Sequence, residues 1–367
     1  MRILRVAQKL YPETKGGGAY HVHAMSRDQA SLGHNVTVLT VTQGDAEPHI
    51  ERRDGYDVVR FPSVTEPVGN SISPGVMQFL QQRANRFDIV HAHSHLYFST
   101  NLAAAVRRLG GPPLAITNHG LYSQTAARWL FDVYLRTVAR LTFDSADVVF
   151  CYTDADRDRL RERDVSTEIA VVPNGIDRGR FSPEGPQSDL LTSEGPTLLF
   201  VGRFVDGKRP TDALVAFRRV VRQYPDSHLY FVGKGPLRAQ LETQIEKAGL
   251  EDHVTLTGTQ PYDAMPEIYR SADVLILPSR AEGVPRTVLE AMATDVPVVV
   301  SDLPQIRTVV AGGGECVPVG EHTALAQALV HVLDSRADYE PMAATREYEW
   351  KRTVRKTTAH LERVSTG

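Results

Sequence analysis

The sequence predicts an α/β protein with two doubly wound domains, each a parallel sheet with helices on both faces. Short apolar runs alternate with helical patterns, and this alternation restarts in the second half of the chain. A polar segment rich in Pro and Gly, VVPNGIDRGRFSPEGPQ, separates the halves and is the predicted linker. A length of 367 residues also suits two cores better than one.

In the first half, Gly33 marks the end of the first helix, because glycine readily adopts the left-handed conformation that closes a helix. The Asp54-Gly55 pair predicts a tight turn between two antiparallel strands. The predicted strands are Ile3–Ala7, Val36–Val41, Ile89–His91, Leu114–Thr117 and Val148–Cys151. The predicted helices are Tyr20–Leu32, Val76–Asn85, Leu96–Leu109 and Thr125–Ser145.

The second half restarts with the apolar run PTLLFVG. Its further predicted strands are Leu229–Val232, Val254–Leu256, Val274–Leu277 and Val298–Val300. Its predicted helices are Thr211–Tyr224, Leu237–Ala248, Ala264–Arg270 and Arg286–Thr294. Doubly wound domains bind ligands at the carboxyl ends of their strands, so the residues that follow the strands are the candidates for a site.

The composition is that of an ordinary globular protein, with 42% hydrophobic and 23% charged residues. A net charge of −3 gives no general attraction to nucleic acid. The two cysteines, Cys151 and Cys316, form neither a disulfide framework nor a zinc motif, which fits a reducing compartment. No apolar run approaches the ~18 residues needed to span a bilayer, and the start MRILRVAQ indicates a strand. We expect a cytoplasmic protein, with peripheral contact at the inner face of a membrane left open.

Two glutamates, Glu282 and Glu290, stand eight positions apart after the strand VLILP. Pro285 is expected at the first position of the following helix, where its missing N–H costs nothing. The N–H groups of Gly283, Val284 and the first helical turn can hold anionic or hydroxyl groups of a ligand. Two carboxylates at this spacing suit two hydroxyl-bearing parts of one long ligand. The alternative is a capped helix with a solvated Glu290.

Two cations follow the strand that ends at Gly202. Arg203 and Lys208 lie five positions apart in FVGRFVDGKRP, and Gly202 allows the backbone to approach a ligand. A guanidinium and an ammonium at the mouth of a doubly wound domain suit a diphosphate. The alternative is that both are ordinary surface cations on a loop.

Two further segments follow strands of the first half. Gly16, Gly17 and Gly18 open the first helix, where a glycine-rich turn can cradle phosphate or serve as a flexible connection. His119 follows the strand LAIT, so its ring and carbonyl are candidates for contact with a ligand. The alternative is a histidine with a purely structural hydrogen bond.

Two patterns carry weaker predictions. His91, His93 and His95 alternate in DIVHAHSH, so they share one face of an extended segment, which suits a strand end better than a zinc site. The helix at 125–145 carries Arg128, Asp132, Arg136 and Arg140 at intervals of four, a stripe expected to pair internally. This helix is expected to pack on the core, with a membrane-surface element as the alternative.

Five segments occur in the order typical of one large family: FVGRFVDGKRP, VVPNGID, VGKGP, YRSADVLILPS and, above all, AEGVPRTVLEAMATDVPVVVSD. With them the chain resembles the retaining GT-B glycosyltransferases of the glycogen-synthase-like "group 1" family, glycosyltransferase family 4 in type. The resemblance spans nearly the whole chain. It implies two Rossmann-like domains facing each other across a cleft, with the last helix crossing back to the first domain.

The resemblance implies an acceptor-side domain at 1–172, to which the helix at 348–367 returns. It implies a donor domain at 173–347. A hexose-type sugar would pass from a nucleoside-diphosphate donor, with UDP, GDP or ADP, to a hydroxyl of a lipid-linked glycan or small molecule. Retention of anomeric configuration and independence of metal are implied in the same way.

The resemblance also implies a role for each matching position. Arg203 and Lys208 would bind the diphosphate, Glu290 the ribose, and Glu282 the sugar hydroxyls beside Gly283, Val284 and Pro285. In the same way, His119 would lie near the reacting face of the sugar, Gly16, Gly17 and Gly18 near phosphate and acceptor, and Gly233, in VGKGP, near the nucleotide.

Asp295 departs from the family pattern, since a glycine usually follows the helix that carries Glu290. Two other functions remain open at this stage. One is a nucleotide-sugar epimerase on the same fold, and the other is a catalytically inactive sugar-nucleotide-binding assembly protein.

Overall fold

The computed structural model describes residues 1–42, 47–121 and 128–366, without the side chains of Val68 and of residues 128–130. The described chain divides into two compact units. Unit 1 comprises 1–121, 128–173 and 351–366, and unit 2 comprises 174–350. Within the described ranges after 128, the chain passes between the units twice, after Pro173 and after Trp350.

Unit 1 contains one eight-stranded sheet. Its strands are β1 Arg2–Val6, β2 Asn35–Thr42, β3 His49–Arg53, β4 Tyr56–Pro62, β5 Ile89–His93, β6 Leu114–Thr117, β7 Val148–Cys151 and β8 Ile169–Val171. The strand order is β3-β4-β2-β1-β5-β6-β7-β8, and only the β3–β4 pair is antiparallel among the described strands. The predicted Asp54-Gly55 turn is confirmed, since both residues have positive φ, 43° and 87°, between these two strands.

The helices of unit 1 cover both faces of this sheet. They are α1 Gly17–Ser31, α2 Pro74–Arg83, α3 Phe98–Arg108, α4 Arg128–Tyr134, α5 Arg140–Phe143 and α6 Asp154–Arg161. A π-helical turn, Leu135–Ala139, joins α4 to α5, so the predicted helix is confirmed from 128 to 143 with a π-turn inside it. Residues 125–127 of that prediction lie outside the described residues. Asp132 pairs with Arg163 of another segment at 3.7 Å. The predicted pairing of Asp132 with Arg128 falls on a side chain outside the described residues.

Unit 2 contains a six-stranded parallel sheet in the order β11-β10-β9-β12-β13-β14. Its strands are β9 Thr197–Val201, β10 His228–Val232, β11 Val254–Gly258, β12 Val274–Leu277, β13 Val298–Ser301 and β14 Gly314–Val317. Its helices are α7 Pro210–Gln223, α8 Arg238–Ala248, α9 Met265–Arg270, α10 Arg286–Ala293, α11 Pro304–Val310, α12 His322–Asp334 and α13 Pro341–Ala344. The sequence analysis did not identify β14, α11, α12 and α13.

The last helix, α14 (Trp350–Thr366), returns to unit 1. Leu361 is fully buried in the core on one face of the first sheet, together with Ile3 and Val22. Gln29 of α1 donates a hydrogen bond to Thr358 Oγ1 at 2.9 Å. Leu4 points to the opposite face and its separate core, as the two-residue period of a strand requires. The predicted fold class, including the returning helix, is confirmed.

The segment that follows the first passage between the units and the segment that precedes the second lie side by side within unit 2. Ile176 and Glu349 form a parallel bridge, in which Trp350 N donates to Ile176 O at 2.9 Å. Across the described ranges, no helix combines the length and apolarity needed to cross a membrane.

Asp295 closes α10 in the left-handed conformation, with φ 63°, a conformation that glycine adopts more readily than aspartate. Its carboxylate accepts hydrogen bonds from Arg336 Nη2 at 2.9 Å and from Met342 N at 3.4 Å. These contacts offset the steric cost that a β-carbon brings to left-handed backbone.

We predict that Asp295→Ala lowers the free energy of unfolding by about 1–2 kcal/mol, because alanine keeps the β-carbon and loses both contacts. Asp295→Gly also loses both contacts but removes the steric cost of left-handed backbone, so it should lower the free energy of unfolding by about half as much. Urea unfolding measures both, with Glu246→Ala on the exposed side of α8 as the control. Equal losses for the alanine and glycine variants would show that backbone conformation plays no part.

Candidate functional site

The strand order of unit 2 reverses between β9 and β12. From β9 the chain proceeds outward to β10 and β11, and it then returns to β12 on the other side. The loops that follow β9 and β12 therefore diverge and leave a crevice at the carboxyl edge of the sheet. Arg203 and Lys208 lie in the first loop, and Glu282 lies in the second.

An ion pair between Lys208 Nζ and Glu282 Oε1 joins these two loops. The side chains are 14% and 4% exposed, so the carboxylate is removed from water and the ammonium nearly so. The Arg280 N–H donates to Gly207 O at 2.9 Å, and Gln305 Nε2 donates to the Glu282 carbonyl. The crevice thus presents one cation and one carboxylate held at a fixed separation, while Arg203 is solvent-exposed beside them.

The loops that follow β9 and β10 lie in close contact because both contain glycine. A β-carbon on Gly233, whose φ is 147°, would lie 1.9 Å from the Gly202 carbonyl oxygen. Gly202 N donates to Val232 O, and Phe204 N donates to Lys234 O, both at 3.0 Å. The predicted glycines therefore allow two backbones to run side by side at the edge of the crevice.

Helix α10 begins at Arg286, so Pro285 is its N-cap and the prediction of Pro285 as the first helical residue is wrong by one position. Gly283 and Val284 precede this cap. Val284 O accepts a hydrogen bond from Asn174 Nδ2 at 3.4 Å, and Arg286 Nη1 donates to Gly175 O at 3.1 Å. The PNG segment after Val172 is therefore bound to the start of α10.

Glu290 is buried, with a relative exposure of 3%, which excludes the solvated alternative. Tyr262 Oη donates to its Oε1 at 2.8 Å, and Tyr269 Oη donates to its Oε2 at 2.9 Å. Arg286 Nε lies 3.5 Å from Oε1, one helical turn away. Burial, and then the Glu290 carboxylate, raise the pKa of Tyr269 well above its ordinary value.

Sequence reasoning missed these three partners of Glu290. One signal was available, since Arg286 stands four positions before Glu290 on the same helix. Tyr269 lies in the quoted segment YRSADVLILPS, but nothing in that segment shows that its hydroxyl meets α10.

In unit 1 the strand order reverses between β1 and β5. The loop after β1 leads to Gly16, the N-cap of α1, and His119 follows β6. A β-carbon on Gly18 would lie 4.0 Å from His119 Nδ1. The structure therefore places the glycine-rich turn next to the imidazole of His119.

A cluster of buried histidines surrounds His119. Its Nε2 lies 3.1 Å from His93 Nδ1, and its Nδ1 lies 2.7 Å from Tyr152 Oη. The His91 and His93 rings lie 4.5 Å apart between centroids, and the His21 ring of α1 lies 5.4 Å from that of His119. His21 and Tyr152 are members of this cluster that the sequence analysis missed.

Arg5 is fully buried beneath this cluster. Among the described residues, its side-chain partners are Ser26, Gln29 and His91, none of them a carboxylate. Because a guanidinium only donates, His91 Nδ1 accepts at 3.4 Å, and its Nε2–H donates to Thr117 Oγ1 at 2.7 Å. Burial lowers the pKa of Arg5 to about 9.

Burial keeps these histidines neutral. It lowers the pKa of His119 to about 4 and that of His95 to about 3. Burial first, followed by neighbouring charges that include Arg5, lowers the pKa of His91 and of His93 well below the ordinary value. Across the described part of the chain, no group of three or more His, Cys, Asp or Glu side chains is placed to hold a metal ion.

Sequence relatives cover nearly the whole chain. Phosphatidyl-myo-inositol mannosyltransferase of Mycolicibacterium smegmatis is 27% identical over 92% of this chain and 88% of its own length. Glycogen synthase of Mycobacterium tuberculosis is 28% identical over 98% of this chain and 94% of its own length.

Solved structures share the fold. Sucrose-phosphate synthase of Thermosynechococcus elongatus has a TM-score of 0.82 at 20% identity, over 99% of this chain and 98% of that one. HepE of Anabaena, solved in complex with UDP-glucose, has a TM-score of 0.80 at 18% identity, over 99% of both chains. At these identities the likeness establishes the GT-B fold alone.

The fold, the relatives and the family matches together place this protein among the GT-B glycosyltransferases that use nucleotide-sugar donors. Residues 15–180 match the model for "Glycosyltransferase Family 4", and residues 182–350 match that for "Glycosyl transferases group 1". The two matches together span most of the chain. The protein belongs to the group 1 glycosyltransferases of family 4 type.

We predict that the protein loses stability as the pH falls below about 6.5, the ordinary histidine pKa that applies to the unfolded chain. The folded pKa values are lower, so the unfolded state binds more protons between about pH 4 and 6.5 and is favoured there. Each such histidine adds about 1.4 kcal/mol per pH unit to the slope. Urea unfolding at pH 5, 6 and 7.5 measures this slope.

His95→Leu should lower the slope of unfolding free energy against pH by the contribution of one proton, because it removes one buried titrating ring. The control is His49→Gln, which removes an exposed histidine on β3. Unfolding free energies that do not depend on pH between 5 and 6.5 would contradict the assignment of neutral buried histidines.

Removal of the Tyr269 hydroxyl should be costly, because it leaves the buried Glu290 carboxylate with one partner fewer. We predict that Tyr269→Phe lowers the free energy of unfolding by about 2–3 kcal/mol, as expected for a hydrogen bond to a charged group. Tyr230→Phe is the matched control, because the buried Tyr230 donates at 2.7 Å to a neutral carbonyl, that of Thr192. It should cost about 1 kcal/mol in the same unfolding measurement.

Proposed function

We propose that this protein is a retaining hexosyltransferase that moves a hexose-type sugar from a nucleoside-diphosphate donor to an acceptor hydroxyl. The observation that carries this proposal is the Lys208–Glu282 pair at the reversal of strand order in unit 2. A cation for phosphate and a carboxylate for sugar hydroxyls stand next to each other there, as the two halves of a nucleotide sugar require.

Each donor-side residue has a proposed task. Lys208 and the exposed Arg203 bind the diphosphate, and Glu282 accepts hydrogen bonds from sugar hydroxyls beside the N–H groups of Gly283 and Val284. Glu290 binds the ribose. Tyr262 and Arg286 approach Oε1, whereas Tyr269 donates to Oε2, so Oε2 is the oxygen proposed to accept from a ribose hydroxyl.

The proposed reaction breaks the bond between the anomeric carbon and the β-phosphate oxygen. The acceptor oxygen attacks the same face of the sugar, and its proton passes to the departing diphosphate, which accounts for retention. Lys208 and Arg203 stabilise the negative charge that develops on the leaving group. The family resemblance alone proposes His119 for the reacting face of the sugar. No metal ion takes part, so excess EDTA should leave turnover unchanged.

The acceptor is proposed to be a lipid-linked glycan or a small molecule. Support for a lipid-linked acceptor comes from the names of two relatives, the phosphatidyl-myo-inositol mannosyltransferase and a GDP-mannose:cellobiosyl-diphosphopolyprenol alpha-mannosyltransferase of Xanthomonas oryzae pv. oryzae. The second is 23% identical over 96% of this chain. Phosphatidylinositol and a polyprenyl-diphosphate glycan are therefore the first acceptors to offer.

We predict that one of GDP, UDP and ADP, or its sugar conjugate, raises the melting temperature, because a ligand that binds only the folded state stabilises it. At about a hundredfold excess over Kd the rise should be ~5 °C or more. Lys208→Ala should abolish it, whereas Lys247→Ala, which removes an exposed lysine on α8, should leave it intact. The ¹H NMR coupling of the product's anomeric proton then reports retention or inversion.

The outcomes separate the three candidate functions. Nucleotide release that depends on an acceptor supports transfer, and conversion of the free donor into its epimer supports the epimerase. A nucleotide that stabilises without any turnover supports the inactive assembly protein. No stabilisation by any of the three series at millimolar concentration would rule out the proposed donor site.

A further inference from the structure

Arg209, the residue after Lys208, has left-handed backbone, with φ 51° and ψ 50°. It follows the 3₁₀ turn Asp206–Lys208 and is the N-cap of α7, so the chain changes direction there. This conformation is unfavourable in two ways, because a β-carbon is crowded at positive φ and because a residue before proline, here Pro210, prefers extended backbone. The turn therefore depends on contacts that hold Arg209 in place.

Asp212, the third residue of α7, supplies such a contact. Its Oδ2 accepts a hydrogen bond from Arg209 Nε, and its N–H donates to the Arg209 carbonyl oxygen at 3.0 Å. The Asp212 side chain is 9% exposed, so the ion pair is screened by water less than a surface pair. The side chain of Arg209 is thus folded back onto the helix that its own backbone begins.

The start of α12 and the loop before it confine this pair from the other side. His322 Nε2 lies 3.2 Å from Asp212 Oδ1. A β-carbon on Gly320 would lie 3.1 Å from Arg209 Nη2, so the guanidinium lies against the backbone of the loop that follows β14. The carboxylate and the guanidinium are therefore held by two separate elements of unit 2.

The turn is also held before Lys208. Gly207 O accepts a hydrogen bond at 2.9 Å from Arg280 N, which lies in the loop that carries Glu282. Lys208 lies between this contact and the left-handed Arg209, and its Nζ meets Glu282 Oε1. The backbone on both sides of Lys208 thus determines where its ammonium lies.

A change of backbone conformation at Arg209 would have to move either α7 or the 3₁₀ turn. Ala213 and Phe217 of α7 are fully buried, so close packing resists a shift of the helix. The change would therefore fall on the turn and displace Lys208.

We propose that Asp212 is a positioning residue for Lys208. By holding Arg209 in the left-handed region, it keeps the Lys208 ammonium in the crevice. This inference rests on the proposed function, which assigns the donor diphosphate to Lys208. Asp212 acts through the backbone and does not touch the donor. If the turn is populated only in part, the apparent affinity for the nucleotide falls by that fraction.

The test uses the full chain and isothermal titration calorimetry with GDP, UDP and ADP. The variants are Asp212→Ala, Arg209→Ala, Arg209→Gly and the double variant Arg209→Gly/Asp212→Ala. Glycine adopts left-handed backbone without the steric cost of a β-carbon, so it should make the contact with Asp212 unnecessary. Asp156→Ala is the matched control, because Asp156 is the buried third residue of a helix in unit 1, α6.

Asp212→Ala and Arg209→Ala should each raise the Kd of the nucleotide that the unaltered protein binds by about fivefold or more. Arg209→Gly, the double variant and Asp156→Ala should all stay within about twofold of the unaltered protein. Recovery in the double variant distinguishes positioning from a general weakening of α7, because the carboxylate is still missing from the helix.

Three results would overturn the positioning role. The first is an unchanged Kd in Asp212→Ala. The second is a loss in Arg209→Gly as large as that in Arg209→Ala, since the guanidinium itself would then matter and not the turn. The third is a double variant that binds as weakly as Asp212→Ala. Failure of the proposed function looks different, because the unaltered protein would then bind none of the three nucleotides.

Discussion

The Lys208–Glu282 ion pair holds together two loops that leave the sheet of unit 2 in opposite directions. Both groups pay a desolvation cost, and a buried pair of this kind contributes little net stability compared with apolar packing. Loss of either partner, by contrast, would leave an uncompensated buried charge. The rest of the crevice is built around this pair: Gln305 fixes the backbone of Glu282, and Gly202 and Gly233 bring the neighbouring loop close enough to complete the edge.

The pattern of the sequence predicted the features that depend on neighbours along the chain. Alternating apolar runs gave the two sheets, and the Asp54-Gly55 turn followed from local backbone preference. Features that depend on distant residues were missed. Glu290 is held by Tyr262 and Tyr269, which lie on other elements, and the short strand β14 begins with a glycine and lacks a continuous apolar run. Nor could spacing show that Asp132 would meet Arg163.

One face of the first sheet changes character along its strands. Ile3, Ile89, Ala115 and Val148 belong to its apolar core, and the next positions on the same face are Arg5, His91, Thr117 and Phe150. At the carboxyl edge, the positions of β5 and β7 on this face end with His93 and, just after β7, Tyr152. The polar cluster is therefore an extension of the core, and its geometry is as fixed as the packing beneath it.

The return of α14 to unit 1 also constrains the order in which the protein can fold during synthesis. Gln29 of α1 finds its partner in Thr358, 329 residues later, and Leu361 completes the core around Ile3. At about 5–20 residues per second, residues 174–350 take roughly 10–35 s to translate before these contacts can form. For that interval unit 1 lacks the helix that covers Ile3 and Val22, whereas the described part of unit 2 is contiguous in sequence and can complete its core earlier. Although unit 1 begins at the N-terminus, its core is thus the last to be completed.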